Sequence, residues 1–296
     1  VQCGAFDISL TRMGIDRARA LAGIDRALER GRSASRDRAS GQTNLFGLLN
    51  AAAAANGMNH SSLQDYPEAE AWDRSELLKR EKQALGCYVS GHPLDRYGDK
   101  PARIGAIPSV EIHSREAWSE VRLAGIVEGY QEKIFKGANG KPGGGKAAFF
   151  ELEDMRGRVR AKVRGERVEL YSALLTSGEP VLVSGKVSFP MTDEASDDQQ
   201  EATLLVDEVQ PLLEPIRKAT SAICIPLKAQ EVQPTRLRQL SALIAEVPGP
   251  CAVDISIELP DGAKVVMAIE GRRVDLQDRV LGGLERVFPG CVAQLR

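Results

Sequence analysis

Apolar and polar positions follow three different rhythms along the chain. Up to about Gly31, Ile15, Ala18, Leu21, Ile24 and Leu28 recur at three- and four-residue steps, which predicts one face of a single helix. After Arg32 the order gives way to Ser, Arg, Asp and Gly, then to Gln42-Thr43-Asn44-Leu45-Phe46-Gly47, an alanine run at 51–55 and Asn56-Gly57. Up to about Gln64 this composition cannot bury a core and predicts a linker. A second helix is expected from Asp73 or Ser75, both good caps, carrying Leu77, Leu78 and Leu85. Gly86 and Gly91-His92-Pro93 stop it.

From Val121 the period changes to two. Strands are expected at 121–130, 146–152, 158–163, 180–189 and 202–211, with a short helix at 166–175 between the third and the fourth. Five strands with one helix after the third is the order of an OB-fold, a small partly open barrel that often binds oligonucleotides. The remaining residues alternate element types: strand 222–227, helix 234–247, strands 252–259 and 263–269, helix 276–288, strand 291–295. The expected fold is therefore multidomain α+β: N-terminal helices, a five-stranded OB-fold β-barrel and a small C-terminal α/β domain.

Composition narrows the picture. At 296 residues and 32.0 kDa, with 43% hydrophobic and 27% charged residues, the chain has material for two or three cores. No run of about 18 apolar residues exists and no signal peptide opens the chain, which points to the cytoplasm and away from membranes. Cys3, Cys87, Cys224, Cys251 and Cys291 are scattered, fitting reduced thiols better than a zinc site or a disulfide frame. The sequence opens inside a helical pattern, as a piece of a longer protein would.

Net charge is only −2, so any nucleic-acid role has to come from local charge. Residues 133–167 hold ten basic and four acidic side chains, a local balance of +6. Within them Arg158, Arg160, Lys162 and Arg164 alternate with Val159, Ala161 and Val163, so a strand points the cations to one face. With Lys133, Phe135, Lys136, Lys141 and Lys146, and with Tyr130 and one of Phe149 or Phe150 nearby, this suits a phosphate track with stacking platforms. The competing reading is an ordinary solvated sheet face. Against phosphate stands the loop between the fourth and fifth strands, with Asp193, Glu194, Asp197, Asp198 and Glu201. Gly140 to Lys146 nearly spells a P-loop, but Ala147 replaces the Mg²⁺-binding hydroxyl residue and a strand follows where a helix is required, so a nucleotide site is not expected. His60, His92 and His113 form no metal or catalytic pattern, and no Asp-x-Asp pair exists to hold two metal ions. Gln42, Leu45 and Phe46 have the chemistry of a docking peptide: one amide and two adjacent apolar anchors in an extended segment.

Several ordered blocks resemble the C-terminal part of the alpha subunit of bacterial DNA polymerase III. They are Gly4 to Asp7, Ile24 to Leu28, Gly41 to Gly47, Lys79 to Lys82 leading to Leu85 through Leu94, Val183 to Val187, and Asp278 to Leu284. The Ser90-Gly91-His92-Pro93-Leu94 block is the most specific. The resemblance implies a modular layout: the helical end of the fingers and duplex-binding region (1–40), a linker with a clamp-binding peptide (41–64), a helical connector (65–114), an OB-fold nucleic-acid-binding domain (115–212) and a tau-binding-like α/β domain (213–296). It implies single-stranded DNA, the sliding clamp (through Gln42, Leu45 and Phe46) and the clamp-loader tau subunit as partners. It also implies no cofactor in this stretch, Mg²⁺ and the polymerase carboxylates belonging to an upstream palm. A stand-alone OB-fold single-strand-binding or adaptor protein is the alternative.

Overall fold

The computed structural model describes residues 1–39, 66–135, 145–189 and 201–296. The chain divides into two compact units, Val1–Gly91 and His92–Arg296.

In the first unit the single N-terminal helix expected to Gly31 is instead three: α1 (Asp7–Arg12), α2 (Arg17–Ala22) and α3 (Ile24–Ala39). Gly14, at a φ of +67°, ends the first, and the Asp16 carboxylate caps the second by accepting from the Arg19 N–H. The apolar spacing misleads because Leu10, Ile15 and Ala20 pack around this break, whereas Leu28 is exposed. The third helix runs past Arg32 because Arg, Ala and Ser cost a solvated helix little. The fourth helix, α4 (Arg74–Leu85), begins at an Asp73 cap and ends at Gly86 in the left-handed conformation. On it Glu81 is fully buried and accepts from Arg17 (2.8 Å) and from the backbone N–H of Val89 and Ser90 (3.2 and 2.9 Å), as well as from the Ser90 hydroxyl. Arg17 also forks onto Asp7. This network ties the chain that follows α4 back onto the helix.

The second unit opens with a 3-10 turn (Pro93–Tyr97) capped by His92, whose Nδ1 accepts from the Leu94 N–H, followed by α5 (Lys100–Arg103) and a second 3-10 turn (Ser109–Ser114). Then comes a closed five-stranded barrel of order β1-β2-β3-β5-β4, made of β1 (Glu120–Ile134), β2 (Lys146–Glu153), β3 (Arg158–Arg164), β4 (Val181–Ser188) and β5 (Thr203–Pro211). Helix α6 (Arg167–Leu175) sits between β3 and β4, as the sequence order predicts, and sends Val168 and Leu175 into the barrel core. Inward positions are filled by Leu123, Phe150, Leu152, Val163, Val187 and Leu204. The first strand is longer than expected. It absorbs a bulge between Glu128 and Gln131, made possible by Gly129 at a φ of +63°, and continues to Ile134.

After α7 (Leu213–Lys218) a four-stranded sheet of order β8-β7-β6-β9 forms from β6 (Ala222–Lys228), β7 (Pro248–Glu258), β8 (Lys264–Val274) and β9 (Gln294–Leu295). Helices α8 (Pro234–Glu246) and α9 (Asp278–Val287) cover it. Gly283 allows these helices to close up, because a Cβ there would meet the Leu243 side chain at 2.6 Å. The final strand is two residues, not five. Ala124 and Leu182, on barrel strands, join the same core as Ile216, Ile223, Leu240, Leu281 and Phe288, so barrel and sheet are packed together.

Candidate nucleic-acid interface

Strand register decides which side chains share the barrel's outer face. Across β1, β2 and β3, Gln131 pairs with Phe149 and Phe149 with Lys162; one step along, Lys133 pairs with Ala147 and Ala147 with Arg164. In the other direction Glu151 pairs with Arg160 and Glu153 with Arg158. Val159, Ala161 and Val163 are buried, so Arg158, Arg160, Lys162 and Arg164 all point outward.

The face divides into two halves. In one, Phe135 and Phe149 meet edge to face at 6.3 Å between centroids. The Lys162 ammonium stands 4.9 Å from the Phe149 ring centre and 5.6 Å from that of Phe135, and Lys133 stands 5.5 Å from Phe149. Phe149 is half-buried and Phe135 exposed, whereas Phe150 turns into the core; the aromatic partner left open between them is Phe149. Burial, and then the nearby Arg164 guanidinium, push the Lys162 ammonium below its ordinary pKa. Packed cations that repel one another are ready to accept an anion.

In the other half the cations already have partners. Arg158 lies 3.2 Å from Glu153 and 3.7 Å from Glu151, and Arg160 lies 2.8 Å from Glu201. At the aromatic end, Lys146, which pairs with Ile134, is held by Glu132 at 2.9 Å, whose hydrogen bond holds the ammonium above its ordinary pKa. Glu132 also accepts from the Tyr130 hydroxyl (2.8 Å), and burial is the chief reason that this phenol is pushed up to about 12. The four-residue basic row is thus not uniform. Among the described residues no carboxylate lies within ion-pair distance of Lys133, Lys162 or Arg164.

Lys136 and Lys141, the Gly140–Gly144 stretch, the peptide Gln42, Leu45 and Phe46, and the acids from Asp193 to Asp198 lie outside the described residues. Gly145 leads directly into β2, so a strand follows the P-loop-like stretch. No group of three or more metal-ligating side chains exists among the described residues, and no described helix is long and apolar enough to cross a membrane. Burial pushes the Cys291 thiol up to about 11, which suits a packed thiol rather than a nucleophile.

The sequence shows the carboxylates of this face, Glu201 among the acids of the β4–β5 loop, but not that they pair with Arg158 and Arg160. A partial signal was there: Glu151 and Glu153 alternate on the strand before Arg158 and Arg160, and a hairpin turning at 154–157 sets them opposite one another. Nothing in the local sequence pattern marks Trp118, which is exposed and at a φ of +68° just before β1.

Comparison with known proteins agrees with this layout. A family model described as an OB-fold nucleic acid binding domain matches residues 121–212. DNA polymerase III subunit alpha of Pseudomonas fluorescens is 26% identical over 276 residues, 93% of this chain and 22% of that protein. The same subunit of Pasteurella multocida is 26% identical over 247 residues, covering 83% and 19%. That of Neisseria meningitidis serogroup B is 30% identical over 190 residues, covering 64% and 14%. The chain therefore spans 14–22% of the length of these relatives. Among solved structures, the second OB-fold domain of replication protein A from Methanococcus maripaludis aligns at 19% identity over 34% of this chain and 91% of its own, with a TM-score of 0.26.

Proposed function

Starting from a sequence that matches the C-terminal region of the DNA polymerase III alpha subunit, we propose that this chain is a non-catalytic part of a replicative polymerase whose barrel holds single-stranded template DNA. The observation that carries the reading is the Phe135–Phe149 pair bracketed by Lys133 and Lys162 on the outer face of β1, β2 and β3. Two rings offer stacking surfaces that any base can use, and the unpartnered cations beside them, Arg164 included, take the phosphates. Arg158, Arg160 and Lys146 join only where phosphate displaces their carboxylates.

Three further roles complete the proposal. Gln42, Leu45 and Phe46 dock on the sliding clamp, supported by the chemistry of that peptide and by the resemblance. The α/β unit from residue 213 onward contacts the clamp-loader tau subunit. Nucleotide transfer, with its Mg²⁺, belongs to a palm in the intact cytoplasmic subunit and needs no cofactor on residues 1–296.

The test is binding of a labelled twelve-residue oligothymidylate followed by anisotropy across a salt series. Affinity is expected to fall on a log–log slope of about −0.7 per phosphate contact. Replacing Lys133, Lys162 and Arg164 together by alanine should flatten that slope by about 2. An unchanged slope in the folded triple variant would reduce this face to a solvated surface.

A further inference from the structure

Trp118 is held where a large side chain is at a disadvantage. Its φ of +68° makes it the one non-glycine residue with positive φ among the described residues, and a bulky side chain in that conformation is a genuine outlier. Strain of this kind persists only when the surroundings enforce it, and it concentrates at functional sites. The enforcement is visible. The Trp118 N–H donates to the Val187 carbonyl at 2.7 Å, and the Val187 N–H donates to Ser119 at 3.0 Å, so the β1–β4 ladder extends one residue beyond Glu120. The indole nevertheless gains little burial from this, since 65% of the residue remains exposed.

Its position on the barrel gives the exposed ring a context. Ser188, at the end of β4, pairs with Thr203, and Thr203 pairs with Arg160 on β3. Going round the wall from Arg160, Trp118 is three strand spacings away, about 14 Å at roughly 4.8 Å per strand. Lys186, also on β4 and half-buried, lies along that route, and no described carboxylate is within ion-pair distance of it. Across the β1–β4 ladder Lys186 pairs with Glu120, which also lines a cleft of about 560 Å³ together with Asp207, Glu208, Arg115 and Arg122.

We propose that Trp118 is a second stacking platform, which receives a base of the same single strand after it has left the Phe135–Phe149 pair and passed Arg160 and Lys186. The proposal rests on the reading of the barrel as a single-strand binder and extends it to a path round the wall. That path fits within the footprint of about 4–16 nucleotides for one OB fold. It also gives the strained backbone a purpose: the left-handed turn at Trp118 aims the ring outward instead of into the core.

The sequence offers a direct probe, because its only tryptophans are Trp72 and Trp118. In Trp72→Phe, emission reports on Trp118 alone. Titration with unlabelled twelve-residue oligothymidylate should quench that emission over the same concentration range as the anisotropy change. Trp118→Ala should bind the twelve-residue strand about tenfold more weakly, while a four-residue strand, too short to leave the Phe135–Phe149 pair, should bind both proteins equally. Trp118→Gly should show the same loss with a thermal midpoint no lower than wild type, which separates a binding role from a packing one. If emission is unchanged at saturation, and Trp118→Ala binds the longer strand like wild type while Phe149→Ala still weakens it, this inference falls and the barrel reading stands. If Phe149→Ala has no effect either, or the wild-type chain does not bind the strand, both fall.

Discussion

If Arg160 is withheld from DNA by its own carboxylate partner, then removing that partner should improve binding. Glu201→Gln is the perturbation. The pair is 2.8 Å long and exposed on both sides, 67% and 59%, so it contributes no more than about 1 kcal/mol to folding and its loss leaves the barrel intact. Its effect on binding is larger, because one guanidinium becomes available to a phosphate and one negative charge leaves the strand's path. An added phosphate contact steepens the log–log salt slope by about −0.7. Between about 200 and 50 mM salt that single contact is worth about 2.6-fold in affinity, so the advantage of the variant over wild type should grow by that factor at the lower salt. Anisotropy titrations of the twelve-residue strand at four or five salt concentrations measure both quantities. Adding Arg160→Ala should erase the gain, which assigns it to this arginine rather than to the altered charge of the loop. A Glu201→Gln slope equal to wild type, or weaker binding at low salt, would show that Arg160 has no access to the strand, and the divided-face argument would be wrong.

Other residues give independent expectations. Phe149→Ala should weaken single-strand binding by about 1–3 kcal/mol with little change in salt slope, since stacking releases no counterions; a changed slope with unchanged affinity at high salt would contradict this. Glu81→Ala leaves Arg17 with Asp7 alone and the Val89 and Ser90 N–H groups without their acceptor, and should destabilise the first unit by about 1–3 kcal/mol in denaturant unfolding. The same carboxylate is pushed up by burial but held below its ordinary value of 4.5 by the stronger sum of hydrogen bonds from Ser90, Arg17 and Val89. Its contribution is therefore full at neutral pH and lost as pH falls below about 4.5, so wild-type and Glu81→Ala stabilities should converge in acid; curves that stay parallel there would refute the assignment. Leu45→Ala with Phe46→Ala removes two apolar anchors, each contributing roughly 1.5–3 kcal/mol, and should weaken sliding-clamp binding by about two orders of magnitude without touching single-strand affinity. Equal clamp binding by both proteins would return these residues to ordinary packing.

How far the sequence could be read depended on whether a residue's role is local or depends on a distant partner. The strands of the barrel were legible because alternation of Val159, Ala161 and Val163 with cations is a purely local pattern, and the helix at 167–175 interrupts it in the only place a five-stranded order of this kind allows. The N-terminal helix was over-read for the converse reason. Ile15 and Leu28 share a helical period, yet the Asp16 cap and Gly23 break the backbone between the residues that period joins, and only tertiary packing around Leu10 and Ala20 shows which side wins. Charge misled most, because counting cations on β3 treats each as free. Whether a guanidinium is free is fixed across the sheet: Glu151 and Glu153 reach Arg158 through hairpin register, and Glu201 reaches Arg160 through the parallel β3–β5 pairing, 41 residues away in sequence. Lys162 escapes because its register partner is Phe149, so the same geometry that silences two cations places the third over an aromatic ring. A basic strand and a binding strand are thus different things. What turns one into the other here is the residue opposite each cation, and on this barrel that residue is acidic at Arg158 and Arg160 and aromatic at Lys162.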